Sequence, residues 1–159
     1  MEMDLRWKKK MIYSGVFILE NRLHAIMDRY LGEVSSKQWL LLVITAALPE
    51  VPTLSVLAKH MGCSRQNVKK LAASLNNAGY VKLMPSESDA RTLCVHLTDQ
   101  GKGIIENSTS MEAGVHKALF GDFTDEEIGE YFRLFRKMTM GMERLEEYLK
   151  TTRNAEEGF

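Results

Sequence analysis

The spacing of apolar residues changes its period between residues 53 and 98, and this change limits the possible fold more than any other feature of the chain. Up to residue 78, apolar residues recur every three or four positions, as they do on one face of an α-helix. From Val81 onward they mostly alternate with polar residues, as in a half-buried β-strand. The segment therefore predicts helices followed by a pair of strands.

Two short helices joined by a tight turn account for the first part of this segment. Thr53 is placed to cap the first helix, and Gly62 is placed to end it in the left-handed conformation. Ser64 is placed to cap the second helix, which we expect to run to residue 78. Each helix has one apolar face, formed by Leu54, Leu57, Ala58 and Met61 in the first and by Val68, Leu71, Ala72 and Leu75 in the second. Two helices around a glycine-containing turn are typical of a helix-turn-helix motif.

A β-hairpin is predicted directly after the second helix. Val81 and Leu83 begin one strand, and a polar segment over residues 85–90 provides the turn. The second strand carries its apolar residues at alternate positions, namely Leu93, Val95 and Leu97. A hairpin in this place corresponds to the wing of a winged helix-turn-helix lobe, which we define as residues 53–98.

Long helices are predicted on both sides of the winged lobe. The helical period extends over residues 8–31, and Ser35 with Gln38 forms a capping box that begins another helix before the lobe. Residues 99–150 contain two further helices, with a second capping box at their junction. The sequence thus indicates a mainly α fold with a small β-hairpin wing, in which the winged helix-turn-helix is flanked by long dimerisation helices.

A partner chain is predicted because the helices outside the lobe carry more apolar surface than the lobe can cover. Their Met, Phe, Tyr and Leu residues would otherwise face water. The alternative is that these helices pack only against their own lobe. We expect residues 1–159 to form one domain and two such chains to form a homodimer.

The charge distribution fits a nucleic-acid-binding lobe even though the formal net charge of the chain is zero. Residues 53–102 hold seven basic against three acidic residues, whereas residues 103–159 hold seven basic against twelve acidic residues. One face can therefore meet phosphate while the rest is kept away from it. Two cysteines are too few for a disulfide framework, and no apolar run approaches the roughly 20 residues of a membrane span. We expect a cytoplasmic protein without membrane contact.

The exposed face of the second lobe helix carries the residue types that contact DNA. Arginine bonds guanine in a bidentate manner, asparagine and glutamine do so with adenine, and lysine neutralises phosphate. We predict base contacts from Ser64, Arg65, Gln66 and Asn67 and phosphate contacts from Lys69 and Lys70. An ordinary solvated helix face is the alternative, but the capped helix before it and the hairpin after it favour DNA binding.

The lobe resembles the MarR family of winged helix-turn-helix transcriptional regulators. The resemblance lies in the run TLSVLAKHMGCSRQNVKKLAASLNNAGYV, in DAR at residues 89–91 and in VHLTDQG at residues 95–101. It implies a dimer with intertwined terminal helices on a pseudo-palindromic operator, and an Arg91 that enters the minor groove beside Asp89. Many family members have further arginines at this tip, where the present chain has Ser86, Glu87, Ser88 and Ala90. The wing is therefore predicted to be the weaker DNA contact, resting mainly on Arg91.

The same resemblance implies a ligand-responsive repressor. Many similar proteins respond to small aromatic or amphipathic effectors held between the dimerisation helices and the lobe. His24, Met27, Tyr30 and Trp39 are the residues that we expect to line such a pocket, although apolar residues at a helix junction also serve as plain core.

Two other functions are alternatives to a simple DNA-binding regulator. His60 with Cys63 and Cys94 with His96 are soft-ligand pairs that suggest a redox-sensing or metal-sensing variant, but nothing in the sequence indicates that the pairs converge. Cys63 is better explained as a buried thiol. The zero net charge is also consistent with a winged-helix module that binds protein instead of DNA. No catalytic motif, metal site or cofactor fingerprint is present, so we expect neither an enzyme nor a cofactor.

Overall fold

Six helices and one two-stranded antiparallel sheet make up the fold. The computed structural model describes residues 4–156, with side chains for residues 4–153. The elements are α1 (Leu5–Tyr30), α2 (Ser36–Ala47), α3 (Leu54–Met61), α4 (Arg65–Asn77), β1 (Val81–Pro85), β2 (Leu93–Leu97), α5 (Asp99–Phe120) and α6 (Asp125–Glu156). The predicted fold class, mainly α with a β-hairpin wing, is confirmed. The chain divides into two compact units, one up to Glu112 and one from Ala113 onward.

Side-chain caps define where α2 and α3 begin. The Ser35 hydroxyl accepts from the Gln38 backbone N–H at 3.3 Å, and the Gln38 side chain accepts from the Ser35 N–H at 2.8 Å. Thr53 Oγ1 accepts from the Val56 N–H at 3.3 Å. Each cap satisfies amide groups that the first helical turn leaves without a partner, so the predicted helix starts are confirmed.

The turn between α3 and α4 is built by one glycine and one serine. Gly62 has φ +63°, so the chain leaves α3 through the left-handed region, where a residue without Cβ is favoured. The next backbone N–H, that of Cys63, donates to the Ala58 carbonyl at 3.1 Å. Ser64 Oγ then accepts from the Asn67 N–H at 3.2 Å and begins α4. This local chemistry sets the direction of α4 relative to α3.

The hairpin is anchored at both of its edges near the core. Val81 pairs with Leu97 and Leu83 with Val95, so the predicted alternating residues share one face. The Leu83 N–H donates to Asn76 Oδ1 at 3.0 Å, which joins β1 to the end of α4. The Val95 N–H donates to the Pro52 carbonyl at 2.9 Å, so the chain entering α3 lies along β2.

One hydrophobic core holds the winged lobe and α2 together. The largest side chains that are fully buried come from α2, α3, α4 and both strands: Leu41, Leu42, Leu54, Leu57, Val68, Leu75, Val81 and Val95. A second group packs against this core with partial exposure and includes Trp39, Ile104 and Ile105. Helix α4 is therefore held in place by apolar contacts along one face only.

Helix α5 begins against the turn that follows α4. Thr98 Oγ1 caps it by accepting from the Gly101 N–H at 3.1 Å, and the same hydroxyl lies 2.7 Å from the Gly79 carbonyl oxygen. Gly101 is buried, and a Cβ there would overlap the Tyr80 carbonyl oxygen. The glycine thus permits a close approach of backbone to backbone.

The unit from Ala113 onward contains the end of α5 and all of α6. Thr124 and Glu127 form the predicted capping box, with distances of 2.9 and 3.2 Å. The rings of Phe120, Phe123 and Tyr131 pack edge to face around this corner. Within residues 4–156, no helix has the length and apolar character needed to cross a bilayer.

Candidate DNA-binding surface

Helix α4 presents a continuous polar face over its first two turns. Val68, Ala72 and Leu75 are buried on the opposite side. The exposed residues of these turns are the six predicted DNA contacts, Ser64, Arg65, Gln66, Asn67, Lys69 and Lys70. The core contacts of one face therefore direct the other face, with its donors and acceptors, to solvent.

The exposed face of α4 has two flanks, because residues three or four positions apart are neighbours on a helix. Arg65 and Lys69 form the first flank. Asn67 and Lys70 form the second flank, which continues to Ser74, and Ser74 accepts a hydrogen bond from the α2 side chain of Gln38 at 3.0 Å. The second flank is thus the one that faces α2.

The beginning of α4 attracts anions. No acidic residue lies in its first turn, so its unpaired N–H groups and the positive end of the helix dipole are not neutralised. Arg65 adds a full positive charge at the same end. Phosphate groups are the anions that a helix N-terminus of this kind can hold.

The tip of the wing is ordered by a single carboxylate. Asp89 Oδ1 accepts from the Arg91 backbone N–H at 3.0 Å, and Asp89 Oδ2 accepts from the Thr92 hydroxyl at 2.8 Å. These bonds favour the ionised carboxylate and hold the pKa of Asp89 below its ordinary value. Arg91 is exposed, and its backbone is fixed by the residue two positions earlier. Asp89 therefore acts as a positioning residue for Arg91.

Most basic side chains of the winged lobe and the start of α5 form no ion pair within the described residues. Of the seven bases in residues 53–102, all exposed, only Lys102 forms an ion pair among the described residues, with Asp99 at 3.1 Å. The others are Lys59, Arg65, Lys69, Lys70, Lys82 and Arg91. Unpaired exposed cations are the groups that release counterions from DNA when they meet phosphate.

A cavity of about 490 Å³ lies beside the second flank of α4. Its lining comes from four elements or turns: Glu20 and His24 of α1, Lys37 and Leu40 of α2, Met61, Gly62 and Cys63 at the α3–α4 turn, and Asn67, Lys70 and Leu71 of α4. His24 Nδ1 lies 2.6 Å from Ser36 Oγ, and His24 Nε2 lies 3.5 Å from Glu20 Oε1. The cavity therefore connects the first long helix to the recognition helix.

Comparison with known proteins shows that the chain is similar to members of one family. The MarR family model matches residues 33–92, from the start of α2 to the wing tip. A transcriptional activatory protein of Rhodopseudomonas palustris, BadR, is 25% identical over 141 residues, which cover 86% of this chain and 81% of BadR.

Solved structures agree with this match over nearly the whole chain. A MarR protein from Peptoclostridium difficile superposes with a TM-score of 0.79 at 23% identity and covers 91% of this chain and 95% of its own. The chain therefore has the fold of this MarR protein. Sco3205, a MarR family regulator from Streptomyces coelicolor solved in complex with DNA, gives a TM-score of 0.75 at 22% identity and covers 89% of this chain and 91% of its own. Over nearly the whole chain the fold is thus that of MarR family structures, while the sequence match to the family model is limited to residues 33–92.

The four residues predicted to line an effector pocket lie in different places. His24 lines the cavity, whereas Met27, Tyr30 and Trp39 are not among its lining residues. Tyr30 is 69% exposed at the end of α1. The Trp39 indole N–H donates to Ser108 Oγ at 2.8 Å, so this ring packs between α2 and α5. The structure therefore assigns Trp39 to packing around the core.

The two cysteine–histidine pairs remain separate features. Cys63 is partly buried at the α3–α4 turn and lines the cavity, and Cys94 is buried in β2 opposite Met84. No group of three or more His, Cys, Asp or Glu within the described residues is arranged to hold a metal ion.

Sequence reasoning missed the polar contacts that hold α1, α2 and α4 together. The Ser36 N–H donates to Asp28 Oδ1 at 2.6 Å, and this bond lowers the pKa of the Asp28 carboxyl. Gln38 joins the capping box to Ser74. Only Gln38 carried a sequence signal, as the third residue of a capping box, and its contact with α4 depends on tertiary packing.

Proposed function

We propose that this chain is a MarR family transcriptional regulator that binds a pseudo-palindromic operator as a homodimer, with α4 of each chain in the major groove and the wing at the adjacent minor groove. One observation carries the proposal: the first two turns of α4 expose six DNA-contacting residue types while the opposite face is fixed in the core. The N-terminal part of the second helix is the part that reaches base edges in helix-turn-helix proteins.

The two kinds of contact are assigned by position and chemistry. Ser64, Arg65, Gln66 and Asn67 lie at the start of α4, where we place the base contacts. Lys69 and Lys70 lie one turn further, where the helix leaves the base edges and approaches the phosphate backbone. Arg91 adds a single contact from the wing. We infer that most sequence discrimination comes from α4.

Dimerisation would bury apolar side chains that are exposed to solvent in the single chain. On α1, Ile12 is 61% exposed and Leu19 54% exposed. On α6, Phe132 is 61% and Phe135 57% exposed. Monomeric proteins rarely leave such stripes in water, and a second copy would bury them. A dimer also sets its two α4 helices roughly 34 Å apart, one turn of DNA.

An effector would act from the cavity beside α4, and we propose repression as the default output. A ligand can change DNA binding only if it prefers one state of the protein over the other. Occlusion of a promoter by the bound dimer gives repression, which an operator–reporter fusion measures directly. BadR is named as an activatory protein, so a rise of reporter expression with this regulator would replace repression by activation.

An electrophoretic mobility-shift titration against the DNA upstream of the protein's own gene tests the proposal. Arg65→Ala and Gln66→Ala should each weaken specific binding by about 1–3 kcal/mol and relax discrimination at one base position. Lys137→Ala is the matched control, since this exposed lysine lies on α6. Binding without sequence selectivity, or an Arg65→Ala variant that binds like the parent, contradicts α4 as the base-contacting helix.

Oligomeric state is measured separately by light scattering after size exclusion. The parent should be a dimer. Leu19→Asp should shift it toward monomer, because burial of an unpaired carboxylate in the dimer interface is unfavourable. A complex with another protein that survives nuclease treatment, and whose affinity does not change with salt concentration, would instead favour the protein-binding alternative.

A further inference from the structure

Lys37 at the start of α2 lies on the same side of α4 as Lys70. Both lysines are exposed, and both line the cavity beside the second flank of α4. The next residue, Gln38, donates from its side chain to Ser74 Oγ of α4 at 3.0 Å. The first turn of α2 is therefore held against the second flank, which gives Lys37 a fixed place beside it.

The carboxylates near Lys37 are engaged by other groups. Asp28 accepts from the Ser36 N–H at 2.6 Å, and hydrogen bonds from Ser36 lower its pKa more than the charge of Lys37 does. Glu20, the one carboxylate among the described residues that line the cavity, lies 3.5 Å from His24 Nε2. Lys37 itself forms no ion pair within residues 4–153. Its ammonium group is thus free to meet an external anion.

The two flanks of α4 face different strands of DNA when this helix lies in the major groove. A helix with its side chains is about 10–12 Å across and nearly fills a groove of about 12 Å, so each flank lies beside one sugar-phosphate backbone. Lys69 of the first flank then approaches one backbone, and Lys70 of the second flank approaches the other. Because Lys37 lies beside the second flank, it approaches the same backbone as Lys70.

We propose that Lys37 contacts a DNA phosphate, so that α2 extends the DNA-binding surface beyond the winged lobe. Lys37 and Lys70 bind phosphates of one strand, and Lys69 binds a phosphate of the opposite strand. The inference rests on the proposed DNA-binding function and adds a contact that residues 53–98 do not supply. A lysine–phosphate contact carries no base information, so Lys37 contributes to affinity and to the register of α4 in the groove.

Counterion release gives the size of the expected effect. One phosphate contact in each chain is two contacts per dimer, so Lys37→Gln should reduce the slope of log K against log salt by about 1.8. Extrapolated from about 1 M salt, this change corresponds to roughly 20-fold weaker binding at about 0.2 M. Operator and unrelated DNA should lose the same slope, because the contact is to the backbone.

Fluorescence anisotropy titrations at several salt concentrations measure this slope with the full-length protein and the operator fragment found by the mobility-shift titration. Lys37→Arg retains the positive charge and should keep the parent slope. Lys137→Gln removes an exposed lysine from α6, outside the proposed surface, and should also keep it. Circular dichroism verifies that each variant is folded, and light scattering verifies that it has the oligomeric state of the parent.

Methylphosphonate substitution then identifies the strand. Each phosphate on both strands of one half-site is replaced in turn by a neutral methylphosphonate, and each modified DNA is titrated with the parent and the variants. A phosphate that Lys37 contacts should affect binding of the parent but no longer that of Lys37→Gln. This phosphate should lie on the same strand as the one that loses its effect in Lys70→Gln, and on the strand opposite to the one that loses its effect in Lys69→Gln.

Two results overturn the inference: a Lys37→Gln variant with the parent slope, or methylphosphonate effects that Lys37→Gln leaves unchanged at every position. A phosphate coupled to Lys37 on the strand that Lys69 contacts overturns the assignment of the two flanks to opposite strands. Parent protein that does not bind its operator refutes the proposed function instead, and this outcome is recorded before any variant is tested.

Discussion

Replacing Gln38 tests how α4 is held at its angle to the rest of the lobe. The Gln38 side chain accepts from the Ser35 N–H at 2.8 Å and donates to Ser74 Oγ at 3.0 Å. Gln38→Ala removes both bonds. The Ser35 cap is retained because it uses the backbone N–H of residue 38. The loss is therefore two neutral hydrogen bonds at about 0.5–1 kcal/mol each, of which the higher helix propensity of alanine returns a few tenths. The expected net loss is about 1–1.5 kcal/mol in the free energy of unfolding.

Gln38→Glu is the matched variant, because a carboxylate can retain both contacts. One oxygen accepts from the Ser35 N–H, and the other accepts from the Ser74 hydroxyl, which can donate as well as accept. The negative charge also lies near the N-terminus of α2, where the helix dipole favours it. The free energy of unfolding of this variant should stay within about 0.5 kcal/mol of the parent value.

Urea denaturation followed by circular dichroism, at one fixed protein concentration, measures these differences. Ser74→Ala alone should change the free energy of unfolding little, since alanine favours the helix by about as much as the lost bond contributes. The double-mutant cycle of Gln38→Ala and Ser74→Ala cancels both propensities and should leave a coupling of about 0.5–1 kcal/mol. A coupling of zero, or a Gln38→Glu variant as unstable as Gln38→Ala, would refute the bridge between α2 and α4.

Three further predictions concern other parts of the chain. Gly101→Ala should destabilise the fold by about 1–3 kcal/mol in the same assay, because its Cβ meets the Tyr80 carbonyl; unchanged stability would mean that α5 can shift freely. Asp28→Asn should lower the urea midpoint at neutral pH, since the hydrogen bond from Ser36 depresses the pKa of Asp28 in the folded state. That stabilisation is present above the unfolded value of 3.8 and is lost as pH falls through the lower folded pKa, so the parent and variant midpoints should converge there. Lys69→Ala should weaken binding to all DNA sequences alike and reduce the salt slope of the dimer by about 1.8, measured by fluorescence anisotropy; an unchanged slope would place Lys69 away from phosphate.

The winged lobe could be predicted in detail because its boundaries are set by local chemistry. Thr53, Gly62 and Ser64 act on backbone groups within a few residues, so their effect is visible in the sequence. The hairpin could be predicted because apolar residues alternate with polar ones in both strands. This alternation places Leu83 and Val95 on one face of the hairpin independently of tertiary contacts. Local rules of this kind do not depend on tertiary packing.

The cavity could not be predicted because its lining comes from helices far apart in sequence. His24 and Lys70 reach the same cavity only after α1, α2 and α4 have packed. Trp39 is a residue type that often lines ligand pockets, but its indole N–H donates to Ser108 within the fold. Gly101 shows the same limit, because only the packed structure reveals that a Cβ at this buried position would overlap the Tyr80 carbonyl.

Two hydrogen bonds of α2 connect α1, a predicted dimerisation helix, to α4. Asp28 of α1 accepts from the Ser36 N–H at the start of α2, and Gln38, two residues later, donates to Ser74 of α4. Both contacts join the same end of α2, so α2 cannot tilt there without breaking one of them. In the proposed dimer, α1 is fixed by its partner, and the position of each α4 then depends on these two bonds as well as on the core. The second flank of α4 is therefore the one that combines the contact with α2, the cavity lining and predicted DNA contacts, whereas Arg65 and Lys69 on the first flank do not line the cavity.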